Sequence, residues 1–211
     1  MFTKTLLPDT VGAIKLVSKI PTIQNAYLAG GTALALHIGH RISVDLDFFT
    51  QEKFDEKKVS LELSSIKQLE EAGKSWRTVW GNVGKTKFSI FYYEYPLLEQ
   101  TIAFKGIQIL GKKDIAAMKI HALEDRGTKR DFIDAFFLAR EFGLEKMFAF
   151  YDQKYNSLED HLYTILRSLD YFADAETDER PLKMLVDVSW EEVKKFFQNE
   201  AIRLAKKKLG L

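Results

Sequence analysis

LAGGTALALHIGHRISVDLDFFT, residues 28–50, is the stretch whose reading decides the fold. An apolar run ends at Gly30-Gly31-Thr32, and Asp45-Leu46-Asp47 follows downstream. Glycines have no Cβ to block an incoming phosphate, and a helix opening there aims its first N–H groups and positive dipole end at an anion. Thr32 adds a hydroxyl donor. Val44 to Phe49 alternates Val, Asp, Leu, Asp, Phe, which is the period of a strand. Asp45 and Asp47 then share one face, with Cα atoms about 6–7 Å apart, while Val44, Leu46 and Phe48 face a core. Clustered carboxylates repel, and a cation resolves the repulsion. Oxygen-only donors favour Mg²⁺ or Mn²⁺ over zinc. Arg41 and Ser43 precede the carboxylates and are candidates to touch phosphate or the aspartates. For Arg41, an ordinary surface-loop cation is an equally good reading. Taken singly, a glycine pair and an Asp-x-Asp are commonplace; their order and alternation make them a site.

Outward from this stretch, Val11–Ile20 reads as a helix stopped by Pro21, Ala26–Ala29 as a short strand, and Thr32–Ile38 as the helix opened by the glycines. Asp55–Ala72 reads as a charged amphipathic helix with Gly73 as its C-cap. Arg77–Trp80 and Lys87–Tyr95 read as strands around Gly81-Asn82-Val83-Gly84, and Thr101–Phe104 with Ile107–Leu110 as a hairpin around Lys105-Gly106. Gly84-Lys85-Thr86 imitates the end of a phosphate-binding P-loop. Val79 stands where that motif needs its first glycine, and strand follows where it needs a helix. From Lys112 onward the pattern is helical: 112–125, 130–142, 144–155, 158–172 and 190–208. The boundary is expected near residue 111, giving an α/β core over 1–111 and a helical region over 112–211 that packs against it and completes the active-site cleft.

A second constellation lies in KKDIAAMKIHALEDRGTKRDFIDAFFLAR, residues 112–140. Lys119 and Arg126 are seven apart and share a helix face with Ala116 and Leu123. This makes two cations on an otherwise apolar stripe. Asp131 and Asp134 are three apart and also neighbours. One of them can orient the lysine or accept a proton from an attacking hydroxyl. Without the first constellation, surface salt bridges and a helix-start aspartate explain these residues as well.

Together these residues resemble the nucleotidyltransferase signature of the DNA-polymerase-β-like superfamily and, more narrowly, the AbiEii/AbiGii toxin family. That family's first motif is a glycine pair plus Ser or Thr, then Asp-x-Asp or Asp-x-Glu; here it falls on Gly30, Gly31, Thr32, Asp45 and Asp47. Its later lysine, arginine and Asp-x-x-Asp fall on Lys119, Arg126, Asp131 and Asp134. The resemblance implies an α+β fold: a small mixed nucleotidyltransferase-type sheet flanked by helices, with a C-terminal helical region. It implies metal-dependent transfer of an NMP from an NTP to a hydroxyl on RNA (tRNA among the candidates) or protein. Asp45 and Asp47 would hold Mg²⁺ (or Mn²⁺), the Gly30–Thr32 turn with Arg41, Ser43 and Arg126 the nucleotide, and Lys119 with Asp131 would assist catalysis, supported by Asp134. It also implies a toxin of a type IV toxin–antitoxin or abortive-infection system with a cognate antitoxin protein. The two constellations are expected to form facing walls of one cleft, with Asp131 within about 3–4 Å of Lys119. One departure stands out. Many superfamily members carry a third metal carboxylate on a later strand, where KFSIFYYEY, residues 87–95, offers Ser89 and only Glu94 as an acid. Two rival readings follow: a non-catalytic nucleotide-binding module of the same fold, and a metal-dependent phosphohydrolase.

The bulk numbers set limits. The 211 residues are 46% hydrophobic, with 16 Phe, 8 Tyr and 3 Trp, enough for a bulky aromatic core. Lys and Arg number 31 against 30 acids, which argues against a generic polyanion binder. The chain has no cysteine, so disulfides and thiolate metal sites are excluded. No stretch approaches the ~20 apolar residues of a membrane span, and the N-terminus lacks a signal-peptide core. No membrane association is expected, and the expected compartment is the cytoplasm. The four histidines show no zinc-ligand spacing.

Overall fold

The computed structural model describes residues 1–209. The chain divides into two compact units, Met1–Gly111 and Lys112 onward.

The first unit is a mixed sheet with helices. Helices α1 (Pro8–Val17) and α2 (Pro21–Gln24) precede β1 (Tyr27–Leu28); α3 (Gly30–Ile38) leads to β2 (Leu46–Thr50) and α4 (Glu56–Leu63). Then come β3 (Leu69–Ser75), β4 (Thr78–Val83), β5 (Thr86–Tyr92), β6 (Ile102–Phe104) and β7 (Ile107–Ile109). The seven strands run β3-β4-β5-β2-β1-β7-β6. β2 pairs parallel with β5 and β1 parallel with β7, while the other neighbours are antiparallel. Strand alternation sorts the residues. Leu28, Leu46, Phe48, Val79, Phe88, Ile90 and Ile109 are buried on one face, with Ile14 and Val17 of α1, Leu34 of α3 and Val59 and Leu63 of α4 also in the core. Each such side chain contributes roughly 1.5–3 kcal/mol by leaving water. Tyr27, Asp47, Phe49, Ser89, Phe91 and Trp80 alternate onto the other face.

Both hairpins form, the first with a tighter turn than expected, because Gly81, Asn82 and Val83 continue strand β4. Gly84, at φ +59, and Lys85 link β4 to β5 through the pair Val83↔Thr86, so the P-loop look-alike is a tight turn. Lys105 and Gly106 both have positive φ, the geometry of a two-residue hairpin turn. Two expectations shift: Pro21 opens the short helix α2 instead of stopping α1, which already ends at Val17, and the long helix of 55–72 does not form. The helix expected to reach Ala72 ends at Leu63, and 69–75 is edge strand β3. Ser64, Ser65 and Ile66 close the helix with turn bonds to the carbonyls of Ser60, Glu62 and Leu63, and Ile66 enters the core. Pairing with β4 then overrides the helical propensity of LEEA. Gly73 caps nothing; it lies beneath the Trp80 ring.

The second unit is helical: α5 (Lys112–Asp125), α6 (Lys129–Phe142), α7 (Leu144–Tyr155), α8 (Leu158–Ser168), α9 (Ala173–Glu176) and α10 (Trp190–Leu209). Gly127 at φ +46 follows the end of α5, and Thr128 caps α6 by accepting the Asp131 N–H. Phe132 centres an aromatic cluster with Phe172, Trp190 and Phe197. Lys154 and Asp114 form a fully buried ion pair at 2.7 Å between α7 and α5.

Candidate active site

The site in the first unit is built where α3 starts beside β2. Gly30 sits at φ +64, a conformation costing a non-glycine residue about 1–2 kcal/mol. Ala29, extended, donates its N–H to the Asp47 carbonyl at 2.9 Å, which ties the helix start to the strand. No side chain caps α3. The Asp47 carboxylate lies against the same point: a Cβ on Gly30 would stand 3.6 Å from Asp47 Oδ2. A glycine turn, a nine-residue helix N-terminus and a carboxylate thus converge. Gly31 is the second residue of that first turn and, like Gly30, half-buried.

Asp45 is half-buried and immediately precedes β2, so the strand begins two residues later than the alternation suggests. Its carbonyl is 2.5 Å from Thr32 Oγ1, and Thr32 Oγ1 is 2.8 Å from Ser43 Oγ. Thr32 is 2% exposed. Its hydroxyl is therefore held inside the protein, where it fixes the loop carrying Asp45. Its position in α3 turns it inward with Ala33. Ser43 is buried too, its N–H bonded to the Thr5 carbonyl at 3.0 Å. Arg41 is 3% exposed, with Nη1 donating to the Ile42 carbonyl at 3.2 Å, so the surface-cation reading does not hold.

The parallel register pairs Asp47 with Ser89, and Ser89 Oγ donates to Asp47 Oδ1 at 3.1 Å. The place beside Asp47 where an additional acid would stand is occupied by a hydroxyl. Glu94 lies beyond the end of β5, exposed and five residues past Ser89. Among the described residues no group of three or more His, Cys, Asp or Glu gathers as a metal cage. The donor set is the Asp45–Asp47 pair, hard oxygens that fit Mg²⁺ or Mn²⁺ when water and substrate complete the shell. Two further side chains share this face and carry no motif: Trp80, opposite Ser89, and the exposed Lys87, two residues before it.

The second constellation assembles within the helical unit. Lys119 Nζ lies 2.8 Å from Asp131 Oδ1 and 2.8 Å from Asp134 Oδ2. Arg126 Nε and Nη2 donate to Asp131 at 2.9 and 3.1 Å, and Thr128 Oγ1 lies 2.6 Å from the same carboxylate. Burial disfavours the Asp131 carboxylate, but the charges and hydrogen bonds of Lys119 and Arg126 outweigh it and hold its pKa far below the ordinary range. The expected Lys119–Asp131 pair is therefore present, and Lys119 lies deeper than an exposed stripe would place it. Lys119 is 5% exposed, its neighbours Ala116 and Leu123 are buried, and two carboxylates already balance it. Arg126 keeps 61% of its side chain in solvent. A cavity of about 730 Å³ adjoins Arg126, and its lining holds four acids, Glu124, Asp125, Asp170 and Asp174, against Arg126 and Arg167.

Comparisons with known proteins bear on the family and the fold. The family described as "Nucleotidyl transferase AbiEii toxin, Type IV TA system" matches residues 16–96, a span that holds the glycine turn, both aspartates and Ser89. The uncharacterised protein aq_aa25 of Aquifex aeolicus is 37% identical over 194 residues, 89% of this chain and 92% of that one. A Helicobacter pylori protein described as a candidate nucleotidyltransferase shares the fold at TM-score 0.54 and 18% identity, over 94% of this chain and 93% of that one. JHP933 of Helicobacter pylori does so at TM-score 0.51 and 18% identity, over 97% of each chain. No helix among the described residues is long and apolar enough to cross a membrane. With the sheet, the glycine turn and the Asp45–Asp47 pair in place, the chain belongs to the AbiEii nucleotidyltransferase toxin family.

Proposed function

We propose that this protein transfers the NMP portion of an NTP to a hydroxyl on RNA or on a protein, with release of pyrophosphate. The observation that carries the reading is the meeting of Asp47 with the Gly30 turn at the start of α3. Asp45 and Asp47 would hold Mg²⁺ or Mn²⁺, which when bound supplies charge neutralisation at the reacting phosphate. The Gly30–Gly31 backbone N–H groups cradle phosphate oxygens. Thr32 and Ser43 act through Asp45 by fixing its loop. Arg126 offers the solvent-facing charge of the second constellation. Asp131, held ionised, orients Lys119 and Arg126, and Asp134 shares that task. The family also supports a toxin role countered by a cognate antitoxin.

A second reading rests on Ser89. With a hydroxyl beside Asp47, the protein would bind nucleotide without turning it over. Incubation with α- and γ-labelled NTPs, total RNA and cell protein separates the possibilities. Transfer puts α-label, and no γ-label, into RNA or protein. Free γ-phosphate without incorporation indicates hydrolysis and refutes transfer. Saturable binding with neither indicates the binding module.

A further inference from the structure

One row across the sheet of the first unit reads Gly73, Trp80, Ser89, Asp47, through the pairs Gly73↔Trp80, Trp80↔Ser89 and Asp47↔Ser89. Directly paired residues present their side chains to the same face. The Ser89–Asp47 hydrogen bond at 3.1 Å fixes that face as the one carrying the carboxylate. Trp80 is 38% exposed. Its ring is laid down by its neighbour: a Cβ on Gly73 would stand 2.5 Å from Trp80 Cζ2, so the indole rests on β3 in a place only glycine leaves open. Lys87, opposite Asn82 and two residues before Ser89, presents an exposed ammonium on the same face.

A ring laid over an edge glycine stabilises the strand pair, and in Trp80 the outer side of the ring is left open as well. Trp80 keeps over a third of its surface in water while glycine supports it from below. Two strand spacings, about 9–10 Å, separate its backbone from that of Asp47, and the ring lies toward β3, about one spacing further, a span for a nucleoside together with the phosphate and ion between it and the carboxylate. Aromatic faces stack bases of every kind, because each base has a π-face.

We propose that Trp80, supported by Gly73, stacks the base of the NTP whose phosphates sit at the Asp45–Asp47 site, with Lys87 beside those phosphates. The assignment rests on the nucleotide reading above and adds the base subsite to it. It makes the subsite tolerant of base identity, since stacking reads no hydrogen-bonding edge.

Titration calorimetry in Mg²⁺ with a non-hydrolysable ATP analogue and with inorganic tripolyphosphate tests it. Trp80→Ala is expected to weaken the ATP analogue about tenfold and leave tripolyphosphate within twofold of wild type. Trp80→Phe retains most of the nucleotide affinity. Gly73→Val, which lifts the ring, loses it, and Trp76→Ala, on the turn beyond β3, changes nothing. Lys87→Ala weakens both ligands. If Trp80→Ala does not fold, the contrast between Trp80→Phe and Gly73→Val carries the test. Unchanged nucleotide affinity in Trp80→Ala overturns the proposal, as does an equal loss of both ligands. A wild-type protein that binds tripolyphosphate but gains nothing from the nucleoside overturns the base subsite alone. One that binds neither ligand overturns the nucleotide reading and the subsite with it.

Discussion

Replacing Lys119 by methionine should destabilise the helical unit far more than loss of a surface ion pair. The ammonium is 2.8 Å from both Asp131 and Asp134, whose side chains are 1% and 0% exposed. The cluster of Lys119, Arg126, Asp131 and Asp134 is neutral, and Lys119→Met leaves it with one excess buried negative charge. Breaking a buried pair by removing one partner costs about 3–5 kcal/mol, against about 0–1 kcal/mol for an exposed pair. Arg126 still holds Asp131, so most of the cost falls on Asp134. At an m-value near ~3 kcal/mol/M, the urea midpoint falls by roughly 1–1.7 M. The double variant Lys119→Met/Asp134→Asn restores neutrality with the Arg126–Asp131 pair intact, and should recover at least about 1 kcal/mol over the single variant. Equilibrium urea unfolding followed by circular dichroism measures both. A single-variant loss below about 1 kcal/mol, or a double variant no more stable than the single, refutes the argument that this cluster is a buried, charge-balanced unit.

Other expectations follow from the same reasoning. Gly30→Ala imposes φ +64 on a residue with a Cβ, so thermal unfolding should show a loss of about 1–2 kcal/mol; an unchanged melting temperature would contradict the conformation. Lys154→Met leaves Asp114 buried without its 2.7 Å ammonium, and denaturation should show a loss of about 3–5 kcal/mol. The folded-state pKa of Asp131 lies below its ordinary 3.8, so its contribution is fully present above that value and is lost as pH falls through the folded pKa. Acid titration of Asp131→Asn against wild type should therefore show the stability gap narrowing below about pH 4; a gap that widens there would reverse the sign.

The sequence carried the site more clearly than its surroundings. Asp-x-Asp alternation and the glycine turn depend on local backbone rules, and the hairpins announce themselves by Gly84 and by Lys105-Gly106, so all of these are legible before folding. Strand β3 is not, because LEEAGKS has a helical composition and becomes a strand only by pairing with β4. Burial is also a tertiary property. Thr32 and Arg41 look like donors awaiting a ligand, and the fold turns both inward. The Lys119–Asp131 pair was legible from the helix spacing and forms at 2.8 Å; that Asp134 closes on the same ammonium and that the whole group is buried is set by the packing of the helices. Trp80 has no motif; its place comes from register alone, and the signal available was an aromatic residue opposite Ser89 beside a glycine in the neighbouring strand.

Nucleotidyl transfer at the Asp45–Asp47 face is decided by the incorporation of α-label from an NTP by wild type and by Asp47→Ala. Asp47 has its carboxylate on the half-exposed face while Leu46 and Phe48 pack the core, so the variant should fold with unchanged circular dichroism. Wild type is expected to label RNA or protein in a Mg²⁺- or Mn²⁺-dependent manner, and Asp47→Ala and Asp45→Ala are expected to abolish the labelling. Labelling that persists at the wild-type rate in a folded Asp47→Ala protein would contradict transfer at this face.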